Sequence, residues 1–303
     1  MSDPQALPIA ILAFDHRGEF SRSVYDREVD QLTPAEKASL SDAKSLIFDG
    51  YELAASRGLG PVRSGILVDE EFGAAAALRC ADRDFLLAMP VEQADRGTFD
   101  FEYGDEFGTH IQSFDPNFAK ALVRYNPDSD PALNRIQLDR LSALSTWLVG
   151  AGVKFMFELV VRPTADQLES VGGDRMRYED EVRPRLVVRA ITEVLVAGIH
   201  VDLWKIEGVS SPADASSIVD AARRGNPSIE FVILGAATGE ARINQWLITA
   251  AATDGFVGFA IGRNIWKDCV RRWLAGEISK DEAVAIVADG YIDFIGRYLD
   301  YEH

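Results

Sequence analysis

Short apolar runs alternate along the chain with longer segments of helical period, and each run is too continuously hydrophobic for a strand with one solvated face. Such runs are typical of parallel strands covered by helices. The predicted strands lie in IAILAF (9–14), the start of SGILVDEEFG (64–73), DFLLAMPVE (84–92), FAKALVRYNP (118–127), VKFMFELVV (153–161), VDLWKIEG (201–208), EFVILGAA (230–237) and GFVGFAIG (255–262).

Helical signals occupy most of the segments between these runs. Thr33 followed by Pro34 is an N-cap residue with proline at the first helical position, which predicts a helix over 34–56. The segment 93–117 has no helical period and is rich in Asp, Glu, Phe and Gly, so we expect a long loop there, with a functional or mobile role. Further helices are predicted over 74–80, 134–149, 179–197, 212–223, 240–252, 264–274 and 281–299.

Eight such strands with their helices, in a chain of 303 residues, predict an α/β fold, a single-domain (β/α)₈ TIM barrel over 1–303. A doubly wound parallel sheet is the alternative. It lacks its usual support, because no GxGxxG motif follows the first predicted strand.

The composition argues against several classes of function. A net charge of −17 argues against binding to nucleic acid or to an anionic membrane surface. No run of about 18 apolar residues occurs, and from the acidic residue and the short apolar run near Met1 we expect no signal peptide. The two cysteines lie far apart and outside any CxxC motif. We therefore expect a cytoplasmic protein. The four histidines form neither HxH nor HExxH spacing, so we expect no metal and no cofactor.

Ionisable residues gather at the C-terminal ends of the predicted strands, where barrels of this type carry their active sites. His16 is expected to hydrogen-bond a substrate, and Asp15 either to orient a hydroxyl group or a lysine, or to pair with Arg17. Glu70, Glu71 and Glu92 are expected to face solvent, as charges at strand ends commonly do. The full set comprises Asp15, His16, Arg17, Asp69, Glu70, Glu71, Glu92, Lys120, Arg124, Glu158, Arg162, Lys205, Glu207 and Arg263.

Lys120 and Lys205 differ from the other lysines because apolar residues flank each of them. Burying an ammonium group is costly unless something pairs or uses it. Strands four and six contribute to the same layer of such a barrel, so the two ammonium groups should lower each other's pKa and leave a neutral amine for attack on a carbonyl. Glu158, on the strand between them, is expected to transfer protons, with the direction of its own pKa shift left open. The other lysines are expected on solvated helix surfaces (Lys37, Lys44, Lys267, Lys280) or at a strand start (Lys154).

The loops after strands seven and eight favour phosphate binding. LGAATGE and AIGRN supply small residues that let backbone N–H groups approach an anion closely. Arg263 adds a fork of charged donors. We therefore predict a phosphate site at Gly235, Ala236, Gly262 and Arg263, with His16 and Arg17 as further substrate-binding residues.

A set of motifs in a fixed order resembles a known family. They are AFDHRGEF, GILVDEEFG, ALVRYNPD, KFMFELVVRP, DLWKIEG and GFAIGRNIW. The set, which spans nearly the whole chain, resembles the C-terminal aldolase-like domain fused to the sugar kinase of bacterial inositol catabolism. It is more distantly similar to class I tagatose-bisphosphate and sulfofructose-phosphate aldolases. The lysine is followed by Ile-Glu-Gly rather than a Val-Glu-x-Pro-like run, which favours the inositol type.

The resemblance implies metal-free covalent imine catalysis on a phosphorylated keto sugar or keto sugar acid. The implied substrate is 2-deoxy-5-keto-gluconate 6-phosphate, cleaved to dihydroxyacetone phosphate and malonate semialdehyde. The implied roles are Schiff-base lysine (Lys205), cationic neighbour (Lys120), acid/base (Glu158), contact to substrate hydroxyls (Asp15) and phosphate binding (Gly262, Arg263).

Two other functions stay open at this point. One is a sugar-phosphate-binding barrel that regulates without catalysis, since fold does not determine function. The other is a sugar-phosphate isomerase or epimerase, in which Glu158 and His16 would flank one carbon. Barrels of this kind commonly form homo-oligomers, but no stretch of the sequence locates an interface.

Overall fold

The computed structural model of the protein describes residues 7–83, 85–235 and 239–301. Eight parallel strands pair in chain order, and β1 also pairs with β8, which closes the sheet. The predicted (β/α)₈ barrel is therefore confirmed, and the doubly wound alternative is wrong because the sheet has no edge strand. The strands are β1 (Ile9–Ala13), β2 (Arg63–Leu67), β3 (Leu86–Pro90), β4 (Phe118–Arg124), β5 (Lys154–Val160), β6 (Leu203–Glu207), β7 (Glu230–Leu234) and β8 (Phe256–Ile261).

Helices surround the barrel. Helix α2 (Pro34–Arg57) starts where the sequence predicts. The Thr33 hydroxyl accepts a hydrogen bond from the Glu36 backbone N–H, and the Glu36 carboxylate accepts one from the Thr33 backbone N–H, so a capping box begins this helix. The helices are α1 (Gly18–Tyr25), α2 (Pro34–Arg57), α3 (Glu70–Ala81), α4 (Phe107–Phe114), α5 (Pro131–Ala151), α6 (Ala165–Ser170), α7 (Arg175–Arg177), α8 (Arg183–Val196), α9 (Pro212–Arg223), α10 (Glu240–Ala251), α11 (Arg263–Leu274) and α12 (Lys280–Tyr301). None of them, in the part of the chain that the structure describes, combines the length and the hydrophobicity needed to cross a bilayer.

Alternating strand residues form two separate cores. Ile9, Ile11 and Ala13 of β1 point into the barrel, whereas Ala10 and Leu12 pack against the helices. Because both faces of each strand are buried, the strands are continuously apolar. At the C-terminal end of the barrel, polar residues occupy the inward-pointing positions of several strands.

The segment 93–117 contains more regular structure than the sequence predicts. Glu92 and Phe101 form an antiparallel bridge, and the eight residues of α4 follow. Aromatic contacts anchor this segment: Phe107 stacks on Phe101 at a centroid distance of 4.3 Å and meets Trp147 edge-on at 5.5 Å. The expectation of a loop without a helix is wrong here, because two turns of helix are too short to display a period.

Lys44 of α2 does not lie at the surface, so that prediction is wrong. Its side chain is fully buried, pairs with Asp69 and donates to the backbone oxygen of His16 at 2.7 Å. Asp69 also accepts from the Phe72 N–H, which caps α3. Lys44 therefore ties α2 to the start of α3 and to the loop after β1, a contact between distant segments that helical periodicity cannot reveal.

Replacement of Lys44 by Met should lower the free energy of unfolding by about 3–5 kcal/mol, because it leaves the buried Asp69 carboxylate without its counter-ion. Chemical denaturation monitored by circular dichroism measures this change. The double variant with Asp69→Asn should recover part of the loss, since asparagine still caps a helix and carries no charge. Lys37→Met, on the same helix, is the matched control and should change stability by less than about 0.5 kcal/mol. A wild-type stability for Lys44→Met would contradict this account of the pair.

Candidate active site

Four of the side chains predicted for the site meet in one buried cluster at the C-terminal end of the barrel. Lys120 comes from β4, Glu158 from β5, Lys205 from β6 and Asp15 from the loop after β1. Their exposed fractions are 1%, 6%, 4% and 8%. Each continues the inward-pointing row of its strand, in which Phe118, Met156, Leu203 and Ala13 are the apolar members below it.

The Glu158 carboxylate lies between the two lysines. Its Oε1 is 2.6 Å from Lys205 Nζ, and its Oε2 is 2.8 Å from Lys120 Nζ. Glu158 and Lys205 are register partners on neighbouring strands, so the backbone itself sets this proximity. One carboxylate thus connects the two ammonium groups that the sequence predicts to share a layer.

Lys120 is surrounded by negative charge. Besides Glu158, its Nζ contacts Asp15 Oδ2 at 2.9 Å and Glu92 Oε1 at 2.8 Å. Burial by itself lowers the pKa of Lys120, but the three carboxylates outweigh burial and hold its pKa well above the usual range. The prediction that the two lysines lower each other's pKa is therefore wrong for Lys120, because carboxylates separate the positive charges.

The pKa values of Glu158 and Asp15 are shifted in the opposite direction to that of Lys120. Burial raises the pKa of Glu158, yet the charges of Lys120 and Lys205 outweigh it and leave the pKa below its ordinary value. For Asp15 burial is again opposed by Lys120, and its pKa is also lowered. Both groups are carboxylates at neutral pH, which decides the direction that the sequence leaves open for Glu158.

Glu92 belongs to the same cluster, and its predicted exposure to solvent is wrong. It is 6% exposed, and its Oε2 accepts from the Leu122 N–H at 3.2 Å. Arg17 donates to the Glu92 backbone oxygen at 2.9 Å and pairs with Glu102 at 3.0 Å. Arg17 thus pairs with Glu92 and Glu102. Asp15 pairs with Lys120 and not with Arg17. Every second residue of β3 points into the barrel, and continuing from Ala88 through Pro90 would have predicted that Glu92 points inward as well.

His16 lines the cavity beside this cluster. Its ring meets Trp266 edge-on at a centroid distance of 5.7 Å, and its Nδ1 is 3.9 Å from Asp15 Oδ1. Burial lowers the pKa of His16 to about 4, because the nearby Asp15 charge offsets only part of the cost of burying an imidazolium. The ring is therefore neutral at physiological pH.

The residues predicted to bind phosphate lie on the other rim of the cavity. Gly235, Gly262 and Arg263 line it, whereas Ala236 lies outside the described residues. A Cβ atom on Gly262 would sit 1.5 Å from the Ala13 backbone oxygen, so only glycine fits. Arg263 opens α11 and forms an ion pair with Glu19.

The cavity has a volume of about 560 Å³, which suits a small metabolite. The residues of the cluster that line it are Asp15, Glu92, Lys120, Glu158 and Lys205. Within residues 7–83, 85–235 and 239–301, no group of three or more His, Cys, Asp or Glu side chains is arranged to hold a metal ion. What the described site offers is a carboxylate able to exchange protons with a lysine, inside a pocket that carries further cations.

The comparisons with known proteins agree with this fold. A family described as "Uncharacterized protein conserved in bacteria (DUF2090)" matches residues 2–300. The structure is similar to that of Cgl0159 from Corynebacterium glutamicum, with a TM-score of 0.57 and 18% identity over 95% of this chain and 85% of that chain. It is also similar to an archaeal fructose 1,6-bisphosphate aldolase, with a TM-score of 0.54 and 15% identity over 95% of both chains. No curated protein matches the chain significantly. At these identities the structural likeness shows the barrel fold alone.

The lowered pKa of His16 should make the protein less stable in mild acid. Between pH 6.5 and about pH 4 the unfolded chain binds a proton at this imidazole that the folded chain does not, so stability falls as the pH falls. The free energy of unfolding from urea titrations at pH 7 and pH 5 tests this. His16→Asn should reduce the loss between the two pH values by about 1–2 kcal/mol.

His200 gives the matched control, because its side chain is 53% exposed and lies away from the cavity. His200→Asn should leave the pH dependence of stability at the wild-type slope. An unchanged slope in His16→Asn would show that the histidine ring is not buried in its neutral form.

Proposed function

This chain belongs to the DUF2090 family, and we propose that it is a class I aldolase that cleaves a phosphorylated keto sugar or keto sugar acid through an imine on Lys205. The observation that carries the proposal is the 2.6 Å contact between Lys205 Nζ and Glu158 Oε1 in a buried pocket. An imine-forming lysine must lose a proton before it can attack a carbonyl, and Glu158 is the group in position to take it.

The different surroundings of the two lysines support Lys205 as the nucleophile. Lys120 contacts three carboxylates and has a raised pKa, so it keeps its proton and stays a cation. Lys205 has one carboxylate partner among the described residues, Glu158. Proton transfer from Lys205 to Glu158 leaves a neutral amine beside a neutral acid, and Lys120 remains to stabilise negative charge as it forms.

In the proposed reaction Glu158 first takes a proton from Lys205 and later gives it back to the reacting oxygen. The Lys205 amine adds to the ketone carbon, and Glu158 returns the proton to the carbinolamine oxygen, which leaves as water and forms the iminium. The Glu158 carboxylate then takes the proton of the substrate hydroxyl two carbons away. The carbon–carbon bond breaks, its electron pair moves into the iminium, and an aldehyde departs. Protonation of the resulting enamine and hydrolysis of the imine release the ketone.

Substrate binding follows from the charges that surround this centre. We propose that Gly262 and Arg263 hold a phosphate, because α11 begins there with open backbone N–H groups. Asp15, which points into the cavity, would accept hydrogen bonds from substrate hydroxyls. The resemblance of the ordered motifs supports 2-deoxy-5-keto-gluconate 6-phosphate as the substrate, with dihydroxyacetone phosphate and malonate semialdehyde as products.

Borohydride trapping tests imine formation directly. The protein is incubated with dihydroxyacetone phosphate, reduced, digested, and the added mass is mapped by mass spectrometry. We expect a stable adduct on the peptide containing Lys205 and none in Lys205→Met. Glu158→Gln should slow trapping and cleavage by about 10²–10⁴-fold, the usual contribution of a general acid–base group.

Lys154→Met is the matched control, since Lys154 is exposed at the opposite end of the barrel and lines no part of the cavity. It should be trapped at the wild-type rate. An adduct on Lys120 would keep the aldolase and exchange the two lysine roles. No adduct on any lysine, with phosphate ligands still raising the melting temperature, would favour the regulatory binding protein or the isomerase instead.

A further inference from the structure

Among the carboxylates that line the cavity in the described parts of the chain, Glu207 alone has no ion-pair partner. The buried Arg183 lies close to it, but donates to the backbone oxygens of Glu207 and Gly208 at 3.2 and 2.6 Å. No salt bridge therefore holds the Glu207 carboxyl group in its charged form. The other cavity carboxylates each pair with a lysine or an arginine: Asp15, Glu19, Glu92, Asp95, Glu158 and Glu179.

Glu207 lies on the same inner face of β6 as Lys205. Leu203 packs inside the barrel, whereas Trp204 and Ile206 pack against the helices. Because side chains alternate along a strand, Lys205 and Glu207 both point inward, and both line the cavity. Two residues along a strand span about 7 Å, so Glu207 lies one layer nearer the mouth of the barrel than Lys205.

The two glutamates thus approach the lysine from different directions. Glu158 reaches Lys205 from the neighbouring strand β5, with its Oε1 2.6 Å from Nζ. Glu207 lies above it, on the side of the mouth. Apolar side chains, Met156 and Leu203 among them, fill the barrel below. A substrate carbon chain bonded to Lys205 Nζ must therefore extend towards the mouth, which brings the carbon next to the imine under Glu207.

The surroundings also shift the pKa values of the two glutamates in opposite directions. Burial raises the pKa of Glu207, and the charge of Arg183 offsets only part of this effect. Burial acts in the same sense on Glu158, but there the charges of Lys120 and Lys205 outweigh it and lower the pKa. Paired carboxyl groups whose environments separate their pKa values commonly divide the roles of acid and base. Glu207 is the member of this pair that more readily holds a proton.

We infer that Glu207 is a second catalytic acid, which protonates the carbon of the enamine left on Lys205 after the aldehyde has departed. The inference rests on the proposed function, which requires a proton at this carbon. The electron pair of the enamine C=C bond takes the proton of the Glu207 carboxylic acid, and the nitrogen lone pair forms the C=N bond. Glu207 is left as a carboxylate, and water hydrolyses the iminium. The cycle closes when Glu158 releases the substrate hydroxyl proton to solvent and Glu207 takes one up.

Hydrogen exchange into dihydroxyacetone phosphate isolates this step, because it requires the imine and the enamine but no aldehyde. In D₂O the wild-type protein should exchange hydrogen at the carbon that bears the free hydroxyl group, as measured by ¹H NMR. Glu207→Gln should slow this exchange by about 10²–10⁴-fold, the usual contribution of a general acid–base group. Borohydride trapping on Lys205 should proceed in this variant at close to the wild-type rate, which also shows that the variant folds.

Two further variants separate this role from others in the same cavity. Glu158→Gln should slow both trapping and exchange, because Glu158 acts before the enamine forms. Glu179→Gln is the matched control: Glu179 also lines the cavity, and its partner Arg242 keeps a second ion pair, with Asp180 at 2.8 Å. This variant should be trapped and should exchange hydrogen as the wild type does.

Exchange at the wild-type rate in Glu207→Gln would overturn the inference and leave Glu158 as the acid at both steps. An equal loss of trapping and exchange in that variant would also overturn it, since Glu207 would then act before the enamine. A wild-type protein that is trapped on Lys205 but exchanges no hydrogen would retain the imine and reject a proton donor at this carbon. Neither trapping nor exchange in the wild type would reject the proposed function itself, and the inference with it.

Discussion

One carboxylate held between two buried ammonium groups is the constraint on which the mouth of this barrel depends. Burying an isolated charge in a protein interior costs free energy. The contacts of Glu158 with both Lys120 and Lys205 offset this cost. Asp15 and Glu92 complete the shell around Lys120. The same pairing that makes the cluster stable also makes the two lysines unequal. Lys120 is held as a cation by three carboxylates, whereas Lys205 contacts one carboxylate among the described residues, that of Glu158.

A second buried ion pair supports the first from outside the barrel. Lys44 pairs with Asp69 and donates to the His16 backbone oxygen, so the helix layer holds the loop that carries Asp15. Buried ion pairs contribute little net stability compared with apolar packing, but breaking one by removing a partner is costly. The Lys44–Asp69 pair therefore holds the loop after β1 in one position, and this position keeps Asp15 in contact with Lys120.

Much of the site was predictable because its key residues depart from a local pattern. Lys120, Glu158 and Lys205 stand out as charges inside apolar strands, and alternation along each strand places them on the inner face. Lys44 could not be recognised in the same way, because along the chain it looks like an ordinary surface charge and is buried where Asp69 of a distant segment meets it. Glu92 could be recognised only by continuing the alternation of Ala88 and Pro90 beyond the strand, and its partners Lys120 and Arg17 again come from distant segments.

By itself, the sequence determined the barrel, the order of its elements and the end at which the polar residues collect, since these follow from periodicity, capping and strand alternation. Only the tertiary structure decided the charge state of the site. The pKa of Lys120 rises and that of Glu158 falls because of which groups lie within about 3 Å of each other, and no spacing along the chain encodes those distances.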